Sequence, residues 1–129
     1  MKPNVLLVET SLLSLLLMSF HIAEDIALGF AGGGLVNLIG IGFLVVYLCG
    51  ILLGSDRRWG LIIILLGSLL AVAIAVIHLT GAGVGVRRSA GAYFFVWTLY
   101  ALGVTGTFGT LLSARALWSA RAVRTAPGP

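Results

Sequence analysis

Four runs of apolar residues, separated by glycine and charge, make up almost the whole chain. They extend from Val5 to about Phe30, from Leu35 to about Leu53, from residue 60 or 61 to about Thr80, and from residue 91 or 92 to about Trp118. A helix rises about 1.5 Å per residue and the hydrocarbon of a bilayer is about 30 Å thick, so roughly 20 apolar residues suffice to cross it. Each run meets that length. The expected fold is an all-α integral membrane protein of four transmembrane helices in an up-down-up-down bundle. Residues 1–124 form one domain and 125–129 a flexible C-terminal tail.

The first run is the one with an internal pattern. Ser11, Ser14, Met18, His21 and Asp25 recur at steps of three and four, which places them on one stripe of a helix, with Glu24 beside it. The rest of that segment is mainly Leu, Val, Ile, Phe and Ala. In hydrocarbon a polar stripe must turn toward other protein, so the other three segments are expected to pack around it. Met1-Lys2 before a Leu-rich run also has the outline of a signal peptide. Glu9 interrupts the run, the run continues past His21, and no A-x-A site follows, so a retained first helix is expected.

Composition agrees with the pattern. The chain of 129 residues is 60% hydrophobic and only 9% charged, against about a quarter charged in soluble domains. Its eight Lys and Arg outnumber its four Asp and Glu, and in so apolar a chain that excess reads as topology. With the N-terminus inside, Lys2, Arg57, Arg58, Arg115, Arg121 and Arg124 are cytoplasmic and only Arg87 and Arg88 face outward. Both termini are therefore placed on the cytoplasmic side of the cell (inner) membrane. The hydropathy layout resembles that of small four-span bacterial inner-membrane proteins. No basic patch interleaved with aromatics is present, so nucleic acid is not an expected partner.

That topology carries a chemical expectation. The first and third helices rise from the inner side, bringing His21 and His78 to a similar height near the outer face. The second and fourth descend from outside, which puts Asn37, Tyr93 and Trp97 in the same layer as Glu24 and Asp25. Neutral imidazoles on two helices suit a metal or haem iron, with Asp25 as a ligand or as the acceptor that fixes a tautomer. Met18, one turn from His21, adds a soft donor suited to copper. Haem b or copper between His21 and His78, for electron transfer or metal handling, is one functional expectation.

The other expectation, favoured by the sequence, is a non-catalytic accessory subunit. Gly29 with Gly33, Gly50 with Gly54, and Gly67 with Ala71 and Ala75 follow small-xxx-small spacing, as Gly106-Thr110 and Gly109-Ser113 do in the fourth run. More small faces exist than one bundle needs, so a larger membrane complex or further copies of this chain are the expected partners, alongside the lipid itself. Cys49 is the single cysteine, which excludes an intrachain disulfide and reads as a small buried hydrophobe. No G-x-S-x-G or H-E-x-x-H occurs, Ser113 has no neighbouring base, and the glycines from Gly81 to Gly85 lack the strand context of a nucleotide site. An enzyme is not expected. A small four-span transporter is the third reading, although it calls for a charge at the bilayer centre that this sequence lacks.

Overall fold

The computed structural model describes residues 4–27, 29, 33–81 and 92–125, apart from the side chains of 36, 92 and 121–125. The described residues form four helices: α1, Val5–Ala27; α2, Leu35–Gly54; α3, Arg58–Leu79; and α4, Ala92–Thr125. Each is long and apolar enough to cross a membrane. A segment without water must satisfy its own backbone hydrogen bonds, which is why these apolar runs are helical throughout.

The helix ends differ from expectation in instructive ways. α1 stops at Ala27, short of Phe30, where Gly29 turns the chain at φ +73° with its N–H on the carbonyl of Ile26. α3 starts two residues early, at Arg58, after Arg57 adopts an extended conformation that ends the turn. It closes with Thr80 donating its N–H to Val76 O and Gly81 at φ +77°. α4 runs to Thr125, beyond the expected end, because no Gly or Pro interrupts its Ala-, Leu- and Arg-rich last third. At 34 residues it is about 50 Å long, more than a bilayer's hydrocarbon requires. Arg87, Arg88 and the rest of the expected Gly81–Ser89 loop beyond Gly81 lie outside the described residues, as does most of the expected tail.

The helices form a ring in which α1 packs on α2 and α4, and α3 packs on the same two, most extensively on α4. α1 and α3 touch across the middle. Two apolar clusters fill the interior. Leu7, Tyr47, Ile51, Leu61 and Ile64 form one, and Met18, Ala71 and Leu102 the other.

Small residues make these close contacts possible. A Cβ at Gly60 would collide with the backbone of Gly54, and one at Gly67 would stand 2.6 Å from the Tyr47 ring. On α4, Gly103 and Gly106 lie against Ala75 and Ala71, and Gly109 against Ser68. Gly50, Gly54, Gly67, Ala71 and Ala75 are thus used within the chain, so their spacing no longer speaks for a second one. Gly29 and Gly33 have a different role: both have positive φ, lie outside the helices and, among the described residues, have no non-neighbouring atom within contact range. They turn the chain instead of packing it. Cys49 is exposed on α2, so its surroundings are not those of a buried hydrophobe.

Candidate metal centre

The α1 stripe faces the interior over most of its length. Leu7, Ser11, Ser14, Met18 and His21 are all buried, and the faces between them carry the exposed Leu6, Leu13, Leu16 and Phe20. The period of the polar residues therefore decides which side of α1 meets protein. On α3 the buried small residues Ala71 and Ala75 continue into His78, three residues further on, at the helix end nearest α1's His21.

The two imidazoles meet there. Their ring centroids are 4.7 Å apart, with planes at 84°. Phe95 of α4, fully buried, packs on both, at 5.3 Å from His21 and 5.8 Å from His78. Asp25, one turn beyond His21, brings Oδ2 to 3.4 Å from His21 Nε2. Each of His21, Asp25 and His78 offers a ligand atom, and all three atoms lie within 4.8 Å of one another.

Hydrogen bonding says which atoms are free to ligate. His78 Nδ1 lies 2.9 Å from the carbonyl oxygen of Ile74. A carbonyl only accepts, so Nδ1 carries the proton and Nε2 keeps its lone pair. Among the described residues, the buried His21 Nδ1 and Asp25 Oδ1 have no hydrogen-bond partner. His21 Nε2 lies 3.4 Å from Asp25 Oδ2, a close approach of ring nitrogen and carboxylate oxygen. His78 Nε2, the Asp25 carboxylate and one His21 ring nitrogen are thus a set of atoms that a cation could use.

Of the remaining expected site residues, Glu24 and Met18 stand beside this core, whereas Asn37, Tyr93 and Trp97 do not join it. Glu24 accepts a hydrogen bond from Thr98 Oγ1 at 3.1 Å, and Thr98 also bonds the carbonyl of Phe95. Met18 is buried against Ala71 and Leu102, in the apolar cluster one turn from His21. Asn37 is half-buried on α2, a helix that supplies none of the three ligand atoms. Tyr93 and Trp97 are 82% and 73% exposed, on the side of α4 away from Phe95. Phe95 and Thr98 are the contacts that sequence reasoning missed. The signal was present as the buried spacing Phe95, Thr98, Leu99 and Leu102, opposite the aromatic face that drew attention.

The two cofactors expected from sequence fare differently. Haem b needs a flat slot between its axial imidazoles, and here the rings touch edge to face with Phe95 closing their side. The residues do not fit a haem. A single ion fits better. With ligand bonds of about 2.0–2.2 Å, tetrahedral donors stand about 3.3–3.6 Å apart, so a pair as wide as 4.8 Å has to close by about 1.2–1.5 Å. Two imidazoles and a carboxylate suit Zn²⁺ or Cu²⁺, and are harder than a Cu⁺ site would choose.

Comparison with protein-family models, with curated proteins and with solved structures finds no match to this chain. What the fold defines is a class: an all-helical protein with four helices able to cross a membrane. Its function has to be argued from the centre itself.

Proposed function

We propose that this is a multi-pass inner-membrane protein that binds one divalent transition-metal ion, through His21, Asp25 and His78. The single observation behind this reading is the convergence of one ligand atom from each of His21, Asp25 and His78, on two helices, within 4.8 Å of one another. The helices run up-down-up-down with both termini cytoplasmic, an orientation supported by the six Lys and Arg that it places inside against two outside. The metal then sits near the outer face, held between α1 and α3. Metal handling is the functional class, with Zn²⁺ or Cu²⁺ as the ion.

The test is metal content. Protein purified in mild detergent, exposed to Zn²⁺ and passed over a desalting column is expected to retain about one ion per chain by elemental analysis. His21→Ala and His78→Ala are each expected to abolish that retention while the helical circular dichroism is unchanged. A wild-type chain that retains no Zn²⁺ or Cu²⁺ overturns the reading. The accessory-subunit reading would regain the lead if the metal-free chain instead co-purified with a stoichiometric membrane partner.

A further inference from the structure

Below the metal centre, the stripe on α1 alternates in chemistry. Leu7 belongs to one sealed apolar cluster and Met18 to the other, and between them stand Ser11 and Ser14, both wholly buried. Neither hydroxyl has a hydrogen-bond partner among the described residues. Four hydroxyls of α4 behave differently. Thr105, Thr107, Thr110 and Ser113 each donate to a carbonyl one turn back on their own helix. Ser11 and Ser14 had the same option and turn inward instead.

The neighbouring helices supply polar groups at the same level. Across the interior, Leu7 shares a cluster with Leu61 and Ile64, and Met18 shares one with Ala71. Ser68 lies between Ile64 and Ala71 on the buried face of α3, so by register it stands opposite Ser11 and Ser14. Its Oγ is 3.3 Å from the Tyr47 hydroxyl of α2, a long bond in which either atom can donate. Two oxygens hold one hydrogen bond between them there, which leaves lone pairs and one proton to spare.

We propose that this layer is a hydration site, with ordered water bridging the Ser11 and Ser14 hydroxyls to the Tyr47–Ser68 pair. A buried hydroxyl without a partner is costly, and a water with two to four polar neighbours is the usual remedy. Water fits better than a metal ion or an alkali cation, because no carboxylate lies on the α1 stripe between Leu7 and His21 to balance a charge. The two apolar clusters enclose the water, so it belongs to the fold and does not form a path to the metal centre. This inference is independent of the metal reading, since Met18, Ala71 and Leu102 separate the two sites.

Infrared difference spectroscopy of the metal-free protein in lipid nanodiscs, exchanged between H₂¹⁶O and H₂¹⁸O, tests the proposal. The wild type is expected to show a water O–H stretching band that shifts with the oxygen isotope. That band is expected to disappear in Ser11→Ala/Ser14→Ala. Ser68→Ala approaches the site from another helix and is expected to remove the same band, which keeps the test available if the double variant fails to fold. Absence of an isotope-shifted band from the wild type, or its survival in the folded variants, overturns the proposal.

Discussion

His78 is tied to the carbonyl of Ile74, one turn back on α3, by a 2.9 Å hydrogen bond from Nδ1. That bond fixes both the tautomer and the direction of the ring, so Nε2 is the atom left with a lone pair for the proposed metal. Cobalt makes this visible. Co²⁺-loaded protein is expected to show ligand-field absorption, and His78→Ala is expected to remove it. Substituting His78 with Gln, whose amide is a poor ligand, should remove it equally. Retention of the full spectrum in His78→Gln would show that His78 is not a ligand.

Asp25 is the only carboxylate among the three donors, and it also stands 3.4 Å from His21 Nε2. Asp25→Asn keeps the shape and removes the charge. Metal affinity is expected to fall by at least about 10-fold, the lower end of what is lost even when groups that merely orient a ligand are altered. Protons compete with the metal for both imidazoles and for the carboxylate, so the direction with pH follows. Affinity should rise toward neutral pH and fall on acidification, with protons taken up as the ion leaves. A competition titration with a chromophoric chelator at several pH values measures both effects; equal affinity in Asp25→Asn and wild type would remove Asp25 from the donor set.

Much of this was legible in the residues, for a physical reason. A helix in hydrocarbon can hide polar groups only by turning them toward protein, so the spacing of Ser11, Ser14, Met18 and His21 was enough to identify the buried face of α1. Helix rise, taken with the expected alternation of four spans, brought His21 and His78 to one height, and the rings are in contact. The orientation of α4 was less accessible. Tyr93, Trp97 and Tyr100 form as regular a stripe as Phe95, Thr98 and Leu102, and an aromatic face is equally at home against lipid or protein. What decides between them is the match of Gly103, Gly106 and Gly109 with Ala75, Ala71 and Ser68, a pairwise fit that no single segment encodes. The small residues were recognised as an interface, but spacing alone could not say whether the other half lay in the same chain.

Glycine positions give a test of that packing. A methyl group at Gly60 meets the backbone of Gly54, which cannot swing aside, and one at Gly67 meets the Tyr47 ring at 2.6 Å. Gly60→Ala and Gly67→Ala are each expected to destabilise the protein by about 1–3 kcal/mol, the usual cost of overfilling a packed interior. Gly42, on α2, has nothing among the described residues within 4 Å of its would-be Cβ. Gly42→Ala should therefore be neutral, or stabilising by up to about 1 kcal/mol through helix propensity. Unfolding of the three variants in mixed detergent micelles gives the comparison. If Gly60→Ala proved as stable as Gly42→Ala, α2 and α3 would not approach as closely as described.

Thr98 and Glu24 join α4 to α1 by a side-chain bond of 3.1 Å, beside the proposed metal centre. Because Thr98 also donates to the carbonyl of Phe95, losing Glu24 leaves its hydroxyl with a partner on its own helix. The net coupling should therefore be modest. In a double-mutant cycle of Thr98→Val with Glu24→Gln, the interaction energy is expected near 0.6 kcal/mol and no larger than about 1.7 kcal/mol, the range found for hydrogen bonds between membrane helices. Glutamine retains an acceptor oxygen, so Glu24→Leu offers the harsher comparison and should give the larger coupling. Neither substitution removes a metal ligand, and Zn²⁺ stoichiometry is expected to stay near one ion per chain in both. A cycle that returned zero coupling with Glu24→Leu would mean that the contact contributes nothing to holding α1 on α4, leaving that task to the packing of Met18 on Leu102.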